Sequence, residues 1–185
     1  MSISGRIKCL GAVALAAFTA SCSQLDSRQN VGPCPVAGVL FDASRVVNIE
    51  GEDRHENVGW TGSIEGVKGF CRYVGTNPIT MEIDIDFAFG KGPKAEGDRH
   101  SYPYFVTVTR RNQIVLAKRG FTADVRFKPG EDVVRVRDTV SGIVIPRAKQ
   151  DISGTNFEIL VGFDLTPEQL AYNRSGKRFL MDVDK

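Results

Sequence analysis

Residues 80–89 read TMEIDIDFAF. Met81, Ile83, Ile85, Phe87 and Phe89 alternate with Glu82, Asp84, Asp86 and Ala88, a period of two. Successive side chains of a strand point to opposite faces, whereas a helix would scatter these five apolar residues around its circumference. The stretch is therefore predicted to be a strand, apolar on one face and acidic on the other. Gly90, Gly92 and Pro93 stop it, and the polar residues 94–100 are predicted to form a loop.

Working outward, the same signal recurs. Residues 102–109 (YPYFVTVT) and 114–121 (IVLAKRGF) flank residues 110–113 as a hairpin connection. Phe157, Ile159, Val161 and Phe163 alternate again within 156–164. Further strands are predicted at 36–41, 58–64, 70–74, 122–127, 133–136 and 141–145. Short strands with turn signals about every ten residues predict an all-β fold, an antiparallel β-sandwich with immunoglobulin-like architecture. Immunoglobulin topology is not expected. Trp60 lies far behind Cys34 and close to Cys71, the reverse of the spacing in such domains. One short C-terminal helix is predicted from Thr166-Pro167-Glu168-Gln169, a capping box with proline at the first helical position. Leu170 should face inward, Asn173 and Arg174 outward, and Gly176 should end it.

The chain has 185 residues, 42% hydrophobic and 25% charged, the composition of a folded domain rather than of a disordered or polytopic membrane protein. Residues 1–22 read MSISGRIKCLGAVALAAFTASC. Arg6 and Lys8 precede an apolar run of 12 residues, Cys9 to Ala20. A bilayer core needs roughly 20 residues, so a secretory signal fits better than a membrane span. The small residues before Cys22 resemble a bacterial lipobox, although Thr19 stands where leucine is usual. The expectation is a signal peptide at 1–21, a lipidated Cys22 with a polar tether at 22–33, and a β-sandwich domain at 34–185. Ser23 after the cysteine points to the outer membrane of a Gram-negative cell. Ordinary cleavage near Ala20 or Ser21, giving a soluble periplasmic protein, is the alternative, and an uncleaved N-terminal anchor is a third reading.

The formal charge is +2, and without Arg6 and Lys8 the remaining bases and acids balance at 22 each. Nucleic-acid binding driven by bulk charge is not expected. Of the four cysteines, Cys34 and Cys71 remain after the signal and the lipidation site are set aside. An even pair in an exported chain is most simply a disulfide. Two free thiols, or part of a metal site, are the rival readings, but no CxxC is present.

No residue set carries a recognisable chemistry, and no catalytic, cofactor or metal site is expected. Glu82, Asp84 and Asp86 suggest Ca²⁺, yet no D-x-D-x-D-G loop accompanies them, and a solvated strand face paired to Arg126, Arg135 or Arg137 is the expectation. His55 and His100 stand in polar surroundings without a hydrolase or metalloprotease motif. The stretch 90–97 (GKGPKAEG) matches no phosphate loop. Arg110, Arg111, Lys118 and Arg119 place four cations near one hairpin, where they keep an exposed strand pair soluble or meet lipid headgroups or peptidoglycan. Trp60, Tyr102, Tyr104 and Phe105 are expected in the core and at its edge rather than as a ligand platform.

Several segments together resemble a family of uncharacterised alphaproteobacterial envelope lipoproteins. They are the ASC ending at Cys22, CPVAGVLFDASR from Cys34, CRY from Cys71, PYFVTV from Pro103 and VGFDLTPEQLAYNR from Val161. The resemblance implies an envelope location and an all-β domain, but no activity. The expected function is a lipid-anchored periplasmic structural or protein-interaction module, accessory to envelope assembly, that is not an enzyme. Its partners would be the membrane, through the anchor, and an envelope protein. The alternative is a small-ligand or glycan-binding module using the loop end near Trp60 and His100.

Overall fold

The computed structural model describes residues 32–73, 78–111, 114–149 and 151–177. The expected signal peptide, Cys22 and most of the tether lie outside them. Eight strands are present: β1 (Val36–Val39), β2 (Arg45–Ile49), β3 (Val58–Tyr73), β4 (Ile79–Lys91), β5 (Arg99–Arg110), β6 (Val115–Arg126), β7 (Val133–Ile145) and β8 (Phe157–Phe163). Among the described residues a single α-helix, α1 (Pro167–Arg174), follows. The strands form two four-stranded sheets, ordered β1-β8-β5-β6 and β2-β3-β4-β7. The fold is thus the expected all-β sandwich. All pairs are antiparallel except β1 with β8, which run parallel.

The period-two reading of β4 defines the core. Ile83, Ile85, Phe87 and Phe89 are buried and meet Tyr102 and Tyr104 of β5 and Phe163 of β8 from the facing sheet. Phe89 stacks on Tyr102 at 4.2 Å between centroids, and Phe87 meets Tyr104 edge-on at 5.2 Å. Each such side chain contributes about 1.5–3 kcal/mol by leaving water. A Cβ on Gly62 would sit 3.0–3.2 Å from Val46, Phe163 and Phe89, so the bare backbone there lets the three side chains converge.

The disulfide joins Cys34, just before β1, to Cys71 near the end of β3, with Cα atoms 5.7 Å apart. It therefore ties one sheet to the other. Tyr73 reinforces the junction: its hydroxyl donates to Pro33 O (2.6 Å) and accepts from Gly154 N–H (3.1 Å). This end of the sandwich, where residues 32–34 enter, also carries the start of β8, the end of β5 and the start of β6. The opposite end carries the starts of β3, β5 and β7.

Several expected boundaries are corrected. The predicted strands 58–64 and 70–74 are parts of β3, 114–121 and 122–127 parts of β6, and 133–136 and 141–145 parts of β7; Val74 lies outside the described residues. Glycines inside these stretches read as turns but are absorbed. Gly142, at φ +72°, lies in a β-bulge where the register on β4 jumps from Met81 to Ile83. The predicted first strand ends at Val39, and 41–43 form a 3-10 turn. The strand β2 was not predicted. The region 94–100 is not all loop, because β5 begins at Arg99.

The helix has the expected cap: Gln169 N–H donates to Thr166 Oγ1 at 3.2 Å, and Thr166 N–H donates to Gln169 Oε1 at 2.9 Å. Gly176, at φ +73°, follows its end. Asn173, however, faces inward rather than out. Its Nδ2 donates to the carbonyls of Asp42 (2.7 Å) and Arg45 (2.8 Å), docking α1 against β2 through polar bonds.

Candidate functional site

Period two also governs what the second sheet presents outward. Along β4 the outward set runs Glu82, Asp84, Asp86, Ala88, Gly90, so the face changes from acidic to small toward the end away from the tether. Cross-strand register extends this change across the sheet. Arg45, Ser63, Ala88 and Arg135 form one row, and Val47, Thr61, Gly90 and Val133 form the next. Small side chains thus make a floor between bulkier neighbours. Gly90 is needed in that floor, since a Cβ there would run into Thr61 Oγ1.

The walls are supplied by α1 and the neighbouring loops. Tyr172, Asn173 and Lys177 stand on one side, and His55, Gly92 and Asp132 close the others, enclosing a groove of about 360 Å³. Lys177 is held by Asp53 at 2.6 Å, and Tyr172 lies beneath its ammonium. Burial and the nearby Asp53 carboxylate push the Tyr172 phenol up, keeping it a neutral hydrogen-bonding group. The His55 side chain has no hydrogen-bond or ion-pair partner among the described residues. The groove therefore offers an apolar floor dotted with hydroxyls, an aromatic wall and a cationic rim. It suits an extended segment or a sugar face.

The carboxylate ladder below the groove does structural work. Asp84 is only 2% exposed, which corrects the expectation of a fully solvated acidic face. It accepts from Thr139 Oγ1 at 2.8 Å, as a buried carboxylate must find donors. Arg137 grips Asp86 with both arms, Nε to Oδ1 at 2.6 Å and Nη2 to Oδ2 at 2.9 Å. This hydrogen-bonded guanidinium holds the Asp86 carboxyl below its usual range. Arg135 pairs instead with Glu65, and Arg126 with Asp98. Among the described residues no three His, Cys, Asp or Glu side chains cluster as a metal site would require.

His100 and Trp60 do come together, at the end of the sandwich away from Cys34. Their rings stack at 5.0 Å and 13° between planes. Phe127 packs on Trp60 at 5.3 Å, Tyr102 on His100 at 4.6 Å, and Lys91 Nζ lies 5.8 Å above the indole. His100 sits near Asn48 (Nε2 to Nδ2, 3.4 Å), whose Oδ1 accepts from Gln169 of α1 at 2.8 Å. Burial pushes the imidazole down, toward its neutral form. These rings are occupied with one another, as core and core edge. Tyr104 is likewise buried and donates to Asp138 at 2.5 Å; burial, then that bond, hold its phenol well above the usual range.

No protein family, curated protein or solved structure matches the chain. No helix among the described residues is long and apolar enough to cross a membrane. The groove escaped sequence reasoning because it is assembled from four strands and a helix. A signal was nonetheless present, in the switch from acids to Ala88 and Gly90 on one face of β4.

Proposed function

We propose that this chain is a lipid-anchored envelope module, held through Cys22 to the outer membrane, whose domain presents the groove above Ala88 and Gly90 to a protein partner. One observation carries the reading. The groove lies toward the end of the sandwich opposite the Pro33–Cys34 junction, so a tether attached there turns it away from the bilayer. The tether of residues 22–33 spans at most about 40 Å when extended. The leader-like residues 1–21 and the resemblance to envelope lipoproteins support the location, with a soluble periplasmic form as the alternative.

Two measurements test it. Metabolic labelling should place palmitate on the wild type and not on Cys22→Ser, which should leave the membrane fraction; absence of label in the wild type ends the anchor reading. Co-purification from detergent-solubilised envelopes should yield a stoichiometric protein that Ala88→Arg, filling the groove floor, loses. If nothing co-purifies, or the arginine variant retains its partner, the interaction reading fails. A glycan is favoured by one feature, the Tyr172 ring beside the hydroxyls of Thr61 and Ser63. Saturable binding of soluble peptidoglycan fragments, abolished by Ala88→Arg without any protein partner, would establish that second reading instead.

A further inference from the structure

Register fixes which residues share the tether end. Val36 opens β1 opposite Glu158 of β8, and Glu158 stands opposite Thr109 of β5. The β5–β6 hairpin therefore turns where the tether arrives, and Arg111 N–H donates to Asn156 O beside it at 3.0 Å. On this hairpin Ile114 is 51% exposed, Val115 61% and Leu116 44%. Three successive apolar residues on an edge strand present side chains to both faces, so one facing sheet cannot cover them all. Val36 and Val144 are exposed at the same end, which gathers five of the seven large apolar side chains exposed among the described residues.

Two cations flank this apolar tip. Arg110 and Arg111 are exposed and have no ion-pair partner among the described residues. Farther along β6 and directed away from the tip, Arg119 lies over the Phe121 ring at 5.2 Å. Lys118 lies over Phe105 at 4.0 Å and reaches Asp164 only at the 4.0 Å limit of an ion pair. An apolar point flanked by two cations is complementary to an anionic lipid surface, where acyl chains receive the apolar groups and phosphates face the cations. A second copy of the chain would instead set like charges against each other.

We propose that the β5–β6 hairpin is a second membrane contact, docking on an anionic phospholipid surface. Its orientation argument rests on the Cys22 anchor reading, because that reading brings this end to the bilayer. The acyl chains would then hold the protein at the membrane, while the hairpin would fix which way the groove faces.

The test uses the chain from residue 22 onward with Cys22→Ser, which lacks acyl chains but keeps every strand of both sheets. It is floated with vesicles of phosphatidylcholine, alone or mixed with phosphatidylglycerol. Binding to the anionic vesicles only, weakening as salt is raised, is the expected result. Arg110→Gln and Arg111→Gln should each weaken it about fivefold, the equivalent of about 1 kcal/mol per cation. In Leu116→Trp, emission should shift to the blue on anionic vesicles and be quenched by brominated lipid. No flotation, equal binding by the arginine variants, or unmoved Leu116→Trp emission would each overturn the proposal. None of these readouts depends on acylation, so a failure of palmitate labelling would remove the anchor and leave this result standing by itself.

Discussion

Arg137 lays its guanidinium across both oxygens of Asp86, which remains 33% exposed. Because the folded carboxyl titrates below its ordinary value near 3.8, the pair contributes stability that is present above that pH and lost as pH falls through the folded value. Asp86→Asn should therefore melt below the wild type at pH 6, and the two melting curves should converge as pH drops well below 3.8. Curves that stay parallel throughout would show that the pair does not couple to folding. Tyr102 makes the opposite case. Its hydroxyl is buried with no partner among the described residues, a condition that costs about 1–3 kcal/mol. Tyr102→Phe keeps the stack on Phe89 and removes the stranded group. It should raise the urea midpoint, with a gain of about 1 kcal/mol; a loss of that size would reveal an ordered water bound to the hydroxyl.

At the level of elements, the legible parts were those whose signal is local. The alternation in 80–89 and the Thr166–Gln169 capping box are written in neighbouring residues, and both are present. Thr166→Ala should cost about 1 kcal/mol of stability, since it removes one acceptor for an orphan helix N–H. Retention of full stability, measured by urea unfolding, would mean that the bonds of Gln169, Asn173 and Arg174 to Asn48, Asp42 and Arg45 hold the helix without its cap. Long-range pairing was less legible. The strand β2 carries Arg45 and Asn48 among apolar residues, so its period-two pattern is broken; its place is set by pairing with β3. Gly66, Gly120 and Gly142 interrupt long strands in sequence without ending them in space, because a bulge or a solvent-facing position tolerates the missing side chain. Asp84 was misplaced for a related reason: alternation says which face a residue is on, not what covers that face.

For the whole molecule, the Cys34–Cys71 bridge closes a separation of 37 residues and joins the two sheets. Loop-closure entropy for that span amounts to about 4 kcal/mol, within the usual 2–5 kcal/mol lost when an exported domain is reduced. Reduction should lower the unfolding free energy by that amount, read as a lower denaturant midpoint, without unfolding the domain at room temperature, because the core from β4, β5 and β8 does not depend on the bridge. A reduced protein as stable as the oxidised one would contradict this. Alkylation of the denatured, non-reduced protein should leave both cysteines unmodified.

The lone parallel pair has a consequence in time as well as in space. A chain delivered from its N-terminus presents β1 before the other seven described strands, yet among the described residues Val36–Val39 pairs with β8 alone, which begins at Phe157. The first strand to emerge must wait for the last. Until then its four residues have no ladder to join, while β3 and Cys71 arrive much sooner. Oxidation of Cys34 to Cys71 would hold the waiting strand beside β3 during that interval, so the bridge would act as a clasp during assembly before becoming a brace in the finished domain.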